Sequence, residues 1–249
     1  MTIPVTVPDS ILTSYLRAGM ANLPGAGLTE DRSGFLVVES ARIASLPDHA
    51  IHPEVGIAVR DRGVVAMQSA VRPDELERPA IWIRTTGPTA ELLARATVAQ
   101  YFGFRPRAWV DESGADDAEV VIVDEATAIG PLESGFREDL TRAWFVLTGL
   151  PFVSHLLAVP DGADPVTVGA VAQWLSSGGG LDKEQRRAVR EEIAARSGAS
   201  LDDLANLMTG IRWQLELDDR RSVAELFARS GVAEQIGPVR WYRNENEPE

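Results

Sequence analysis

Cysteine is absent from the chain, which removes disulfides, thiolate nucleophiles and Cys-based zinc sites from consideration. Histidine is scarce, with three residues in 249. Basic residues are outnumbered, 24 Lys and Arg against 37 Asp and Glu, for a formal net charge of −13 and a pI near 4.7. Such a surface repels nucleic-acid phosphates and anionic lipid alike, so neither nucleic acid nor membrane is expected as a partner. A small anionic molecule stays admissible, because a few local amides and Arg side chains decide such a site, not the total charge. No apolar run approaches the roughly 20 residues that cross a bilayer. The opening Met1–Pro8 has neither a basic n-region nor an apolar h-region, so the expected location is the cytoplasm. A phosphate-binding P-loop, a Gly-rich dinucleotide fingerprint and a G-x-S-x-G elbow are all missing. No cofactor and no metal are expected.

What the chain does have is a 45% hydrophobic content arranged in short blocks. Val5–Val7, Phe35–Val38, Val55–Val59, Val64–Met67, Ala80–Ile83, Ala108–Val110, Val120–Val123 and Phe152–Val159 read as strands. Helical spacing follows Asp9 or Ser10, spans Thr89 to about Phe102, and returns at Leu140–Thr148, where Gly149 and Pro151 stop it. After Pro160 the pattern is helical, at Val166–Leu175, Lys183–Arg196, Leu201–Met208 and Val223–Ala228. Ser176–Gly180 reads as a flexible connector and Asn244–Glu249 as a frayed acidic tail. Strands alternating with helices predict an α/β protein with mixed, mainly parallel sheets and a helical C-terminal part.

Two stretches carry site chemistry. Thr85-Thr86-Gly87-Pro88-Thr89 joins a strand end to a helix start, where free N–H groups and hydroxyls suit a carboxylate or phosphate; a plain helix cap is the commoner use of such residues. Asp124-Glu125 ends the next strand, where a ligand carboxylate partner and a helix cap share one geometry. The histidines carry less. His49 and His52 lie between Pro47 and Pro53 and read as a solvated loop, and His155, alone in an apolar strand, reads as a satisfied core or cleft histidine.

The stretch Leu140–Val153, with Trp144 followed by Leu-Thr-Gly-Leu-Pro-Phe-Val, resembles the chorismate dehydratases of the futalosine route to menaquinone. Val38-Glu39-Ser40-Ala41-Arg42 is similar to that family's Val-Glu-Tyr-Ala-Arg turn, Asp61–Ser69 to its glycine turn and hinge strand, and Ile211–Leu215 with Leu226-Phe227 to its C-terminal pattern. The resemblance implies a two-lobed fold of the type II periplasmic-binding-protein kind. Lobe one takes in residues 1–71 and 155–249, lobe two 72–154, and the ligand cleft lies between them. It places substrate contacts at Thr85, Thr86, Gly87 and Thr89, facing Glu39, Gly63 and Asp124. It implies a carbon–oxygen lyase that binds a small cyclic carboxylate; the alternative is a non-catalytic, carboxylate-binding cytoplasmic relative. The family's opening Tyr-Leu-Asn loop has no match here, its Ser is replaced by Val37, and its Arg-Ser pair on the hinge strand by Ala66-Met67. Turnover is therefore expected to be very slow or absent, and the sequence names no catalytic residue.

Overall fold

The computed structural model describes residues 2–60, 62–231 and 239–243. The acidic tail at 244–249 and Asp61 lie outside them. Eleven strands form two sheets among these residues. The first contains β1 (Ile3–Thr6), β2 (Ala26–Leu28), β3 (Phe35–Glu39), β4 (His49–Val59), β10 (Phe152–Pro160) and β11 (Ile211–Gln214), in the order β11-β4-β10-β3-β1-β2. The second contains β5 (Val65–Ser69), β6 (Ala80–Arg84), β7 (Ala108–Val110), β8 (Val120–Asp124) and β9 (Phe136–Asp139), in the order β7-β6-β8-β5-β9.

Both sheets are mixed, but parallel pairing does not dominate as expected. Four strand pairs are parallel and five antiparallel. Four of the five antiparallel pairs involve the connecting strands β5 and β10, whose partners all run against them. Val65–Ser69, expected on the lobe-one side of the boundary at 71, pairs with β8 and β9 and so belongs to the second sheet. The chain thus leaves the first sheet at Val59 and re-enters it at Phe152.

The helices are α1 (Ser14–Ala18), α2 (Pro88–Phe102), α3 (Glu125–Ile129), α4 (Leu140–Thr148), α5 (Pro165–Ser176), α6 (Lys183–Ser197), α7 (Leu201–Thr209) and α8 (Leu217–Ser230). The first turn after β1 is not capped by Asp9 or Ser10 as expected: Thr13 takes the N-cap position, and Ser10 and Thr13 hydrogen-bond to each other instead. One core, with Leu16, Val37, Ile57, Leu157, Val171 and Leu204, fills one face of the first sheet under α1 and α5–α7. The second core joins the opposite face (Leu36, Leu156, Ala158) to the second sheet (Met67, Ile81, Ile122) and to α2, α4 and α8.

Trp144 on α4 is fully buried, and its indole N–H faces Pro151 O at 3.3 Å and Ser222 Oγ on α8 at 3.2 Å. Gly149 ends α4 in the left-handed conformation, φ 71°, with its N–H on Phe145 O, as the sequence predicts.

Two loop expectations change. His49 begins β4 and is buried, with Nε2 at 3.0 Å from Gly34 O, and His52 stacks on Tyr242. Pro53 is accommodated within the strand, so the segment is not a solvated loop. The Gly178–Gly180 connector is a packed turn: Asn22 Nδ2 donates to Gly179 O and Gly180 O, and a Cβ on Gly179 would lie 2.6 Å from Tyr15 O.

Candidate functional site

The carboxyl ends of β3 and β8, the amino end of α2 and the start of β10 converge on a cavity of about 150 Å³. Glu39, Thr86, Gly87, Thr89 and Asp124 line it, so five of the seven residues expected in the site come together. Thr85 and Gly63 are not among its walls. The Thr85 hydroxyl turns back onto Gly87 O at 3.2 Å. Gly63 faces the start of α4: its N–H donates to Asp139 Oδ2 at 3.2 Å, and a Cβ there would lie 1.7 Å from Thr141 Oγ1. Larger hollows, about 320 Å³ beside Arg60 and Arg212 and about 420 Å³ beside Arg240 and Trp241, lie away from this junction.

The donors at the amino end of α2 are held by the protein's own carboxylates. Asp124 Oδ2 accepts from Thr86 N at 2.7 Å and from Thr86 Oγ1 at 2.9 Å. Glu39 Oε2 accepts from Thr89 N at 3.0 Å. Thr89 Oγ1 in turn accepts from Ala41 N at 3.0 Å, which fixes the turn after β3. Asp124 stands at the N-cap position of α3 yet makes no cap bond there; its carboxylate reaches across to α2 instead, so neither sequence reading of it is complete. Gly87 is required by this closure, since a Cβ would lie 2.3 Å from the Glu39 carboxylate.

Two further walls stand outside the expected contacts, although the sequence pairs Glu125 with Asp124 and reads His155 as a core or cleft histidine. Glu125 has φ 52°, the one positive φ outside glycine among the described residues, a conformation a residue of this size adopts only under constraint. Its Oε2 accepts from Ile11 N at 2.6 Å, and its own N–H donates to Val64 O. Burial, with the negative charges of Asp124, Glu39 and Asp9 adding to it, pushes its carboxyl up to about 7, against the pull of the Ile11 N–H. Burial likewise raises Asp124, opposed by its Thr86 bonds.

His155 is the other. It is 5% exposed and lines the cavity, directly across the strand pair from Glu39. Burial pushes its imidazole down to about 4. Among the described residues, no group of three or more His, Asp and Glu side chains is arranged to hold a metal ion, and no helix is long and apolar enough to cross a membrane.

Comparison with solved structures defines the class. A protein from Archaeoglobus fulgidus superposes with a TM-score of 0.65 at 13% identity, over 94% of this chain and 98% of that one. The periplasmic aliphatic sulphonate binding protein SsuA of Escherichia coli superposes at 0.62 and 10% identity, over 100% and 96%. The desulfurization enzyme DszB superposes at 0.57 and 10% identity, over 96% and 94%. The fold is that of the periplasmic binding proteins, and it carries both binding proteins and an enzyme. No curated protein sequence matches the chain. The sequence profile of the menaquinone biosynthesis family matches residues 36–231, and the chain belongs to that family.

Proposed function

We propose that the chain is a chorismate dehydratase-like carbon–oxygen lyase of menaquinone biosynthesis, with its substrate in the cavity between the two sheets. The observation that carries this reading is the position of that cavity. It lies at strand ends and a helix start, where open α/β sheets take ligands, and most of its walls fall within the span matched by the family. In this reading the first sheet with its helices is one lobe and the second sheet with its helices the other. Because β5 pairs in the second sheet, the boundaries expected at 71 and 155 shift to between β4 and β5 and to just before β10.

The reaction removes a ring proton beside an enolpyruvyl ether and expels the neighbouring hydroxyl, and aromatisation drives it. The protein has to hold two carboxylates and manage one proton. No Lys or Arg lines the cavity, and the α2 donors already carry Glu39 and Asp124. A ligand carboxylate is therefore received by displacing Glu39 and Asp124 from these donors. The Thr89 hydroxyl accepts from Ala41 and keeps its own proton to give.

One observation favours the second reading, a non-catalytic carboxylate binder: the protein's own carboxylates occupy the helix donors. Chorismate added to the full chain separates the two. The expected outcome is a raised melting temperature, since a ligand of the folded state stabilises it by mass action, with the aromatic enolpyruvyl ether formed only slowly and followed by chromatography. Stabilisation without product supports the binder. Absence of both, with chorismate and with the aromatic product, removes this ligand class. Replacing Thr86 and Thr89 together by Ala is expected to weaken binding by about 1–3 kcal/mol; unchanged affinity would move the site elsewhere.

A further inference from the structure

Three of the four carboxylates around the cavity have a committed donor: Glu39 takes Thr89 N, Asp124 takes Thr86, and Glu125 takes Ile11 N, while the exposed Asp9 lies 3.8 Å from Arg17 Nε. His155 differs. The ladder between β10 and β4 shifts register between Val153 and His155, and such a bulge re-aims side chains that would otherwise alternate. As a result Ser154 and His155, neighbours in the chain, both line the cavity. Ser154 Oγ donates its one proton to Ile57 O at 3.2 Å. It can then only accept from His155 Nδ1, which lies 3.1 Å away. The ring proton is thereby assigned to Nδ1. Nε2, with no hydrogen-bond partner among the described residues, keeps its lone pair in a side chain that is 5% exposed.

We propose that His155 is the proton acceptor of this cavity, held by Ser154 as the Nδ1–H tautomer with Nε2 directed at the substrate. The proposal rests on the lyase reading given above. The ring C–H bond breaks, its proton goes to Nε2 and its electron pair enters the new ring double bond. The C–O bond to the neighbouring hydroxyl breaks with its electron pair on oxygen, and the imidazolium returns the proton to that oxygen, so water leaves and the ring ends neutral. Glu39 stands opposite His155 in the strand pair, with its carboxylate on Thr89 N; Asp124, Glu125 and Asp9 are the other ionisable groups on the walls. Burial keeps the resting imidazole neutral, the form that accepts a proton, and the same desolvation drives the imidazolium to give that proton back at once.

Two measurements on the full chain test this. Long-range proton–nitrogen NMR at pH 7, with the His155 signals assigned by their loss in His155→Gln, is expected to show a neutral ring with the proton on Nδ1. Ser154→Ala is expected to release the tautomer preference. A proton on Nε2, or an imidazolium, overturns the proposal. In the chorismate assay, His155→Gln is expected to lower kcat by at least about 100-fold, the scale of general-base contributions, while KM and the chorismate-induced rise in melting temperature change little. Wild-type turnover in His155→Gln overturns the proposal and leaves the lyase reading standing. If the unaltered chain makes no product, the lyase reading falls, and the tautomer found by NMR still decides whether Nε2 is the open base. Should His155→Gln fail to fold by circular dichroism, Ser154→Ala carries the kinetic test: a changed pH profile for kcat is expected, and an unchanged one counts against Ser154 as the positioning residue.

Discussion

Single residues are where the sequence said least. His155 reads as one histidine in an apolar strand, and nothing local announces the register shift that turns it and Ser154 to the same cavity. Glu125 reads as half of an acidic pair, yet its positive φ and its bond to Ile11 N arise from a contact across 114 positions of sequence. That geometry has a measurable consequence. The folded chain binds the Glu125 proton more tightly than the unfolded chain, because burial raises the carboxyl from 4.5 to about 7. Below about pH 4.5 both states are protonated and the group contributes nothing. Between there and about 7 the folded state holds more protons, so stability falls as pH rises. Glu125→Gln keeps an acceptor for Ile11 N and removes the titration. Its melting temperature is expected to exceed that of the unaltered chain at pH 8 and to match it near pH 4.5, as read by calorimetry. Gly63 offers a second test. Its missing side chain makes room for Thr141, so Gly63→Ala is expected to destabilise by about 1–3 kcal/mol in urea unfolding. Thr141→Val removes a buried hydroxyl that has no partner and is expected to be neutral or stabilising.

Elements were legible where their own residues determine them. The helix stop at Gly149-Leu150-Pro151, the buried runs of β6, β8 and β10, and the spacing of α5–α7 follow from glycine, proline and apolar periodicity. The edge strands β2, β9 and β11 were missed because each is three or four residues long and takes its form from a distant partner. The amino end of α2 shows the same division. Its Thr-Gly-Pro wording marks a helix start, while the carboxylates that fill it come from β3 and β8, distant in sequence. The α4–α8 contact is a third case: the indole of Trp144 bridges to Ser222, 78 positions away. Trp144→Phe opens a void in a fully buried position and leaves the Ser222 side of the bridge without its donor. A loss of about 2–3 kcal/mol is expected, measured by chemical unfolding, and Ser222→Ala is expected to lose less.

At the scale of the molecule, the alternation of strands and helices indicated the layered α/β architecture, and the resemblance supplied the two-sheet arrangement that alternation alone does not. What no pattern conveyed is the electrostatic character of the cavity, four carboxylates and no cation, because its walls come from segments scattered between Pro8 and His155. An anionic ligand entering there opposes the ionisation of Glu125 and Asp124, so its binding is expected to take up protons. Affinity for chorismate is then higher at pH 6 than at pH 8. Calorimetry in two buffers of different ionisation enthalpy reads the uptake directly, and a pH-independent affinity without proton uptake would contradict it.

The strand order β4-β10-β3 has a consequence for how the molecule is made. The two early strands β3 and β4 are not neighbours; the seat between them belongs to β10, which the ribosome delivers only after the whole second sheet has been synthesised. Until then each presents an open edge in a nascent chain, the condition in which strands recruit the wrong partner. Closure of the first sheet is therefore a late event: the strand that carries His155 covers the edges that β3 and β4 turn toward each other, and the outer edge of β4 waits for β11.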